Sequence, residues 1–365
     1  MALTPEPVTA SGDADLAGRA ETVLTVRWPQ AAVAGVEQLQ GGASGLTYRA
    51  WLAGAPVAEA VIKVAPAGLP PVRNRDVLRQ ARLLSVLAGH AGVRVPQVFG
   101  RDPGDPPQCP PLFVMSFEPG TSEEPLHVAA EVPPEDIRGR ALQAAQMLAA
   151  LHAVPVEELE GAGEADDASQ PSRAVAGATP AAEPVLTPQQ EVERWVRALR
   201  TVPAELRPGA DETAARLLAR VPAAIEPAIC HGDWRLGNLL SVDADVIAAI
   251  DWEIWSIGDS RADLSWFLMM CDPAHPAAIA GPEVGLPAID ELTAAYMARA
   301  GGNVRDLAWF RALAAFKQAA VTALLAKHAA QRDAPLEQVA ARLASLLPEL
   351  QVWSRSFLAE RDEGS

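Results

Sequence analysis

The sequence predicts an α+β chain in two parts: a small antiparallel, strand-rich first part with one long helix, then a mainly helical second part. Three observations carry this. Short apolar strand patterns separated by glycine and proline turns crowd residues 36–64. One amphipathic helix follows, and then the apolar strand "LFVMSF" ends at a Pro-Gly break. Beyond Gly120 the pattern turns to long Ala/Leu-rich stretches of helical period. At 365 residues the chain exceeds what one small core needs, so two lobes are expected.

In chain order, residues 1–13 read as a loose tail and "ADLAGRAETVLTVRW" as a short helix, so 1–34 is set apart from the first lobe, 35–118. Val36–Gln40 and Leu46–Leu52 are strands flanking the turn "GGASG", and the turn "AGAP" leads into a third strand around Val57–Val64. In "NRDVLRQARLLSVLAG", Val77, Ala81, Leu84 and Leu87 share a helical face, with Asn74 as the expected N-cap. Leu112–Phe117 is a buried strand. The second lobe, 119–365, opens with the helix "EDIRGRALQAAQMLAALHAV". Residues 161–184 are poor in large apolar groups and predict a mobile loop. "TPQQEVERWVRALRTV" resumes as helix, and the chain from about Pro287 is mostly helical.

Composition excludes several function classes. Hydrophobic residues make up 49% and charged residues 21%, an ordinary globular balance. A net charge of −16 argues against nucleic-acid binding, since no basic patch is available for phosphates; an acidic surface or a cationic substrate is consistent with it. Three cysteines without a CxxC pair argue against a disulfide framework or zinc site. No basic-then-apolar leader and no bilayer-length apolar run are present. A cytoplasmic protein that uses neither membrane nor nucleic acid is expected.

The chemistry concentrates in "HGDWRLGNLLSVDADVIAAIDWE", His231–Glu253. "VIAAI" is a short apolar strand that places Asp251 at its end. A hairpin turning at Asp243 and Asp245 would bring Asn238 beside Asp251. Two oxygen donors on adjacent strands suit a hard cation such as Mg²⁺, with water and phosphate oxygens completing its shell. Asp233, five residues before Asn238, would lie near the ion without ligating it, free to accept a proton. Protein kinases space their catalytic Asp and Asn in this way and follow with Asp-Phe-Gly, for which Asp251-Trp252-Glu253 stands here. Gly41, Gly42, Ser44 and Gly45 form a turn between strands, as a phosphate-covering loop does. Lys63 lies in the apolar strand "VIKVA", although the chain holds only two other lysines, Lys317 and Lys327. A flexible point charge reaching phosphate explains its retention; a lysine snorkelling outward is the structural alternative.

"HGDWRLGN" with "AIDWE", continued by "GDSRADLSWFL", resembles the aminoglycoside phosphotransferase and choline kinase-like superfamily over roughly residues 35–360. The closer likeness is to the phosphotransferase domains related to those fused to acyl-CoA dehydrogenases, with "WFRALAAFKQA" adding to it. The resemblance implies a protein-kinase-like two-lobed fold and an ATP- and Mg²⁺-dependent phosphotransferase acting on a small-molecule hydroxyl. It implies Asp233 as general base or orienting carboxylate, Asn238 and Asp251 as metal ligands, and Lys63 on the ATP phosphates under the glycine turn. Val114, Met115, Ser116 and Phe117 would border adenine. His231 and Asp263 would brace the loop, and Glu253 would support the site. The chain departs from the pattern at two places. Gln80 stands where relatives often carry the glutamate that pairs with the lysine, and it offers a hydrogen bond but no charge. Arg235 stands where many carry histidine, and it fits a γ-phosphate contact, an anionic substrate or a local salt bridge. Trp234, Trp252, Trp255 and Trp266 read as core or as a substrate platform. The acceptor stays open among an aminoglycoside-like antibiotic, a choline-like amine and a hydroxy-acyl metabolite. A catalytically weak nucleotide-binding pseudokinase is the rival class, with Gln80 its best argument. A metal-dependent hydrolase is disfavoured, since only two metal ligands are visible.

Overall fold

A computed structural model describes residues 11–39, 46–127, 132–159, 183–279, 281–331 and 337–359. The chain forms two compact units, one of residues 1–120, 157–182 and 247–254, the other of 121–156, 183–246 and 255–365.

The first unit is built on a five-stranded sheet of order β1-β2-β3-β5-β4, with every neighbouring pair antiparallel. Its strands are β1 (Ala32–Gln38), β2 (Leu46–Ala53), β3 (Glu59–Val64), β4 (Val98–Asp102) and β5 (Leu112–Ser116). β3, "EAVIKV", is buried from Ala60 onward and apolar apart from Glu59 and Lys63, as suits a central strand. The sequence reading missed β4, whose "VFGRD" lacks a clear alternation.

Helix α1 (Ser11–Arg27) belongs to this unit rather than to a separate tail. Leu16, Ala20, Val23 and Leu24 form one helical stripe that packs into a core with Ala50, Ile62, Val64, Phe99, Leu112 and Val114. A Cβ on Gly100 of β4 would lie 2.6 Å from Val23 Cγ1, so the glycine sets how closely α1 approaches the sheet. Arg19 then pairs with Asp102 at 2.7 Å.

Helix α2 (Val77–Leu87) buries the expected face. Its N-cap is Asp76, which accepts from the Arg79 amide at 3.0 Å. The expected cap, Asn74, lies two residues earlier, in the 3₁₀ turn Arg73–Arg75.

The second unit holds α3 (Pro134–His152), β6 (Val185–Leu186), α4 (Pro188–Leu199), α5 (Ala210–Leu218) and β7 (Ala228–Cys230). After β8 (Leu239–Val242), β9 (Asp245–Ala249) and β10 (Ser256–Gly258) come α6 (Ser260–Met270), α7 (Ile289–Ala300), α8 (Leu307–Ala330) and α9 (Glu337–Ala359). Thr187 and Gln190 cap α4 reciprocally. A core of Val192, Leu199, Leu217, Trp309, Phe310, Phe316, Leu347 and Phe357 joins α4, α5, α8 and α9. β6, β10 and β7 make a small sheet of three. These strands are two or three residues long, too short to show a period in sequence.

β8 and β9 pair as the expected hairpin. Its turn is Asp243–Ala244, with Asp243 left-handed (φ +49°) and Asp245 already in β9. α3 fixes the turn: Arg140 Nε donates to the Asp243 carbonyl at 2.7 Å and Gln143 Nε2 to that of Ala244 at 2.8 Å. Among the described residues no helix is long and apolar enough to cross a membrane.

Leu24 is fully buried. Leu24→Ala is therefore expected to destabilise the fold by roughly 2–5 kcal/mol, read from the shift in urea midpoint. An unshifted midpoint would detach α1 from the sheet core.

Candidate active site

In the first unit the site residues gather at the middle of the sheet. Lys63 lies opposite Thr47 on β2 and Phe113 on β5 and is 9% exposed. Its Nζ lies 3.6 Å from Asp251 Oδ1, a charge contact that offsets the cost of burying an ammonium. Asp251 has a φ of +64°, a left-handed conformation that Asp and Asn tolerate better than other side-chain-bearing residues. The backbone around it is held firmly. The Ala249 amide donates to the Arg94 carbonyl at 2.8 Å, and buried Trp252 donates from Nε1 to the Ala249 carbonyl at 2.9 Å. Glu253 follows in the 3₁₀ turn Trp252–Ile254. Gln80 is buried on α2 and donates to the Asn74 carbonyl at 3.4 Å, so the carboxylate beside Lys63 is that of Asp251.

Val114, Met115 and Ser116 end β5, and Phe117 follows it. The Ser116 hydroxyl accepts from the Gln97 amide at 2.8 Å and donates to Glu118. The Arg49 guanidinium covers the Phe117 ring at 4.5 Å. Gly41, Gly42, Ser44 and Gly45 lie outside the described residues.

In the second unit a loop leaves β7 at His231. Gly232 adopts a φ of +86°, which a side chain would strain. The amides of His231 and Gly232 both donate to the buried Asp263 carboxylate, at 2.5 and 2.8 Å. The Asp233 amide in turn donates to His231 Nδ1 at 3.2 Å, which makes that nitrogen an acceptor. The Asp233 carboxylate receives three side-chain donors. Trp266 Nε1 reaches Oδ1 at 2.9 Å; Asn238 Nδ2 and Arg235 Nε reach Oδ2 at 2.9 and 3.1 Å. Asn238 Nδ2 also donates to the Asp233 carbonyl at 2.9 Å.

Arg235 continues outward to Glu124, Nη1 to Oε2 at 2.8 Å, and the Gly237 amide donates to the same oxygen at 3.2 Å. A Cβ on Gly237 would come within 2.1 Å of Arg235 Nη1, so a larger residue there would have to displace this ion pair. Arg235 thus makes local salt bridges to Glu124 and Asp233. Trp266 is 5% exposed and packs with Met269 and Met270, yet its indole N–H is aimed at Asp233.

α6 carries both Asp263 and Trp266 and is itself pinned. Asp259 caps it by accepting from the Arg261 amide at 3.1 Å and binds the Arg261 guanidinium at 2.7 and 2.9 Å. The same guanidinium lies 4.4 Å over Phe310 of α8.

Sequence reasoning did not find Glu124, His152 or Lys317. Glu124 meets Arg235 across 111 positions, and His152 Nε2 lies 3.5 Å from Asp263 Oδ2 across a similar distance in sequence. No local pattern marks contacts of that range.

Burial pulls the Asp263 carboxyl upward, but the His152 imidazole against it, with the charge of Lys317, holds it below the ordinary aspartate value. Burial pushes Glu124 up, against the opposing pull of Arg235. Asp263→Asn is expected to lower stability at pH 7 by roughly 1–3 kcal/mol, the cost of leaving buried donors without their acceptor. Because the folded carboxyl titrates below the unfolded one, its contribution is full above about pH 4 and fades as pH falls through the lower folded value. The melting-temperature gap between wild type and variant should therefore narrow only in strong acid, and a constant gap from pH 7 downward would deny the carboxylate this role.

The fold is kinase-like. The chain belongs to the phosphotransferase enzyme family, which residues 35–292 match. Among curated proteins it is 26% identical to acyl-CoA dehydrogenase family member 10 of Mus musculus over 236 residues, 63% of this chain and 20% of that protein. The chain thus spans a fifth of the relative's length.

A Ralstonia eutropha JMP134 protein described as a candidate aminoglycoside phosphotransferase superposes with a TM-score of 0.68 at 21% identity, covering 89% of this chain and 92% of that one. The macrolide 2′-phosphotransferase MphH of Brachybacterium faecium gives 0.55 at 21%, covering 90% and 96%. An ethanolamine kinase of Plasmodium vivax gives 0.51 at 14%, covering 89% and 85%. At these identities the likeness concerns the fold, which is the two-lobed, protein-kinase-like α+β fold that the sequence predicts.

Proposed function

We propose that the chain is an ATP- and Mg²⁺-dependent kinase that transfers the γ-phosphoryl group to a hydroxyl of a small molecule. The observation that carries this reading is the Asp233 carboxylate, fixed by three side-chain donors while 24% of its side chain stays exposed. A carboxylate so held can orient an acceptor hydroxyl and take its proton as the oxygen attacks phosphorus. Lys63, backed by Asp251, is assigned to the nucleotide phosphates, and Val114–Phe117 to the adenine edge.

The donors suit Mg²⁺. Asp251 offers carboxylate oxygens, and Asn238, whose Nδ2 is committed to Asp233, offers its amide oxygen. When bound, the ion would neutralise charge on the phosphate oxygens. Support for nucleotide and acceptor classes comes from fold relatives solved with GDP and kanamycin, and with ADP or AMP-PNP and hygromycin B. Aminoglycoside-like, choline-like and hydroxy-acyl acceptors all carry the required hydroxyl. The nucleotide-binding pseudokinase reading leaned on Gln80, and the Asp251 carboxylate beside Lys63 weakens it.

ADP release from ATP across a panel of hydroxylated compounds tests the reading. Asp233→Asn keeps the shape and removes the proton acceptor. It should lower kcat by about 10²–10⁴-fold and leave ATP affinity near wild type; normal turnover would remove Asp233 from the chemistry. Asp251→Asn suits the left-handed backbone and so isolates the charge. ATP should raise the melting temperature of the wild type further when Mg²⁺ is added, and this increment should vanish in Asp251→Asn. An increment kept in the variant would take Asp251 out of the metal site.

A further inference from the structure

We propose that Lys317 is a positioning residue for Asp233, fixing both the peptide that precedes it and the indole that holds its carboxylate. The inference rests on Asp233 being the acceptor-orienting carboxylate of the proposed kinase. Lys317 lies on α8 beside buried Phe316, Ala319 and Ala320, a helix face otherwise given to packing. Its ammonium donates to the Gly232 carbonyl. That carbonyl belongs to the Gly232–Asp233 peptide, whose N–H donates to His231 Nδ1 at 3.2 Å. The peptide plane is thus held at its oxygen by Lys317 and at its nitrogen by His231, and its two rotational freedoms around left-handed Gly232 are lost together.

The same ammonium lies 3.9 Å from the Trp266 ring centroid, close enough for a cation–π contact, and 5.9 Å from that of Trp195. Trp266 Nε1 is the donor to Asp233 Oδ1 at 2.9 Å. A cation over the ring draws electron density from the indole and strengthens that donor. One side chain therefore acts on Asp233 by two routes, through backbone and through ring. Burial pulls the Lys317 ammonium below its usual range, and the charges of Asp233, Glu191 and Asp263 oppose that pull. A lysine that only snorkelled to solvent would make neither contact.

The test compares Lys317→Met, Lys317→Arg and Trp266→Phe with wild type, using two readouts. The first is hydrogen exchange of the Asp233 amide and of the Trp266 indole in uniformly ¹⁵N-labelled protein, which needs no substrate. Lys317→Met should speed both exchanges, and Lys317→Arg should restore protection. The second is steady-state ADP release. Lys317→Met should lower kcat by about 10²-fold, as misplaced groups do, without changing the KM for ATP, and Lys317→Arg should recover most of it. Trp266→Phe removes the indole donor alone; it should reduce kcat and leave the Asp233 amide protected. Wild-type exchange in a folded Lys317→Met would overturn the proposal. So would equal losses in Lys317→Met and Lys317→Arg, or a change confined to KM. If Lys317→Met does not fold, the Arg and Phe variants decide by the same criteria. Absence of ADP release from wild type with every acceptor would refute the kinase reading, and the exchange data would still judge the clamp.

Discussion

Two consecutive backbone amides, those of His231 and Gly232, converge on one buried carboxylate, and everything about the Asp233 loop follows from that convergence. A buried aspartate without partners would cost several kcal/mol. Asp263 avoids that cost by accepting both amides and by lying against His152. The amides converge with Gly232 turned left-handed, a conformation that glycine adopts without strain. That turn points the next peptide so that its N–H meets His231 and its C=O meets Lys317. Asp233 emerges from the turn already aimed, and Trp266, Asn238 and Arg235 fix the carboxylate itself. Because α6 supplies both Asp263 and Trp266, a single helix sets the backbone and the side chain of the loop.

The first unit solves a different problem, that of placing a charge in the middle of a sheet. Lys63 lies on the most buried strand, where an ammonium is tolerated only with an anion beside it. Asp251 provides the anion from a segment distant in sequence, and its left-handed backbone turns the chain sharply at the end of the strand. A small polar side chain is required twice over at that position, once by the backbone and once by the lysine. The strain is local, and the Ala249 and Trp252 hydrogen bonds around it hold the turn in place.

Much of this was legible in the sequence, for identifiable reasons. The helix of "VLRQARLLSVL" and the strand of "VIKV" show in their periodicity and apolar runs, and "HGDWRLGN" with "AIDWE" carries its chemistry at fixed spacing. β4, β6, β7 and β10 did not show, because strands of two to five residues leave too little pattern to read. The helix cap shifted from Asn74 to Asp76 because both can cap and the choice depends on the preceding 3₁₀ turn. Glu124, His152 and Lys317 escaped for a common reason. Each reaches the loop across about 80 or more positions, and such contacts exist only once the helices have packed.

That last group changes how the charge of the chain is to be read. A net charge of −16 leans, taken alone, toward a cationic acceptor. The immediate surroundings of Asp233 are mixed in sign. Arg235 touches its carboxylate, and the Lys317 ammonium lies beyond one peptide and one indole ring. Both cations are themselves shared with other carboxylates, Arg235 with Glu124 and Lys317 with Asp263 and Glu191, so the fixed charges of the loop compensate one another at short range, while the acidic surface is screened by salt within about 10 Å. The overall charge is therefore a property of the solvated surface, whereas around Asp233 each cation is matched by a carboxylate.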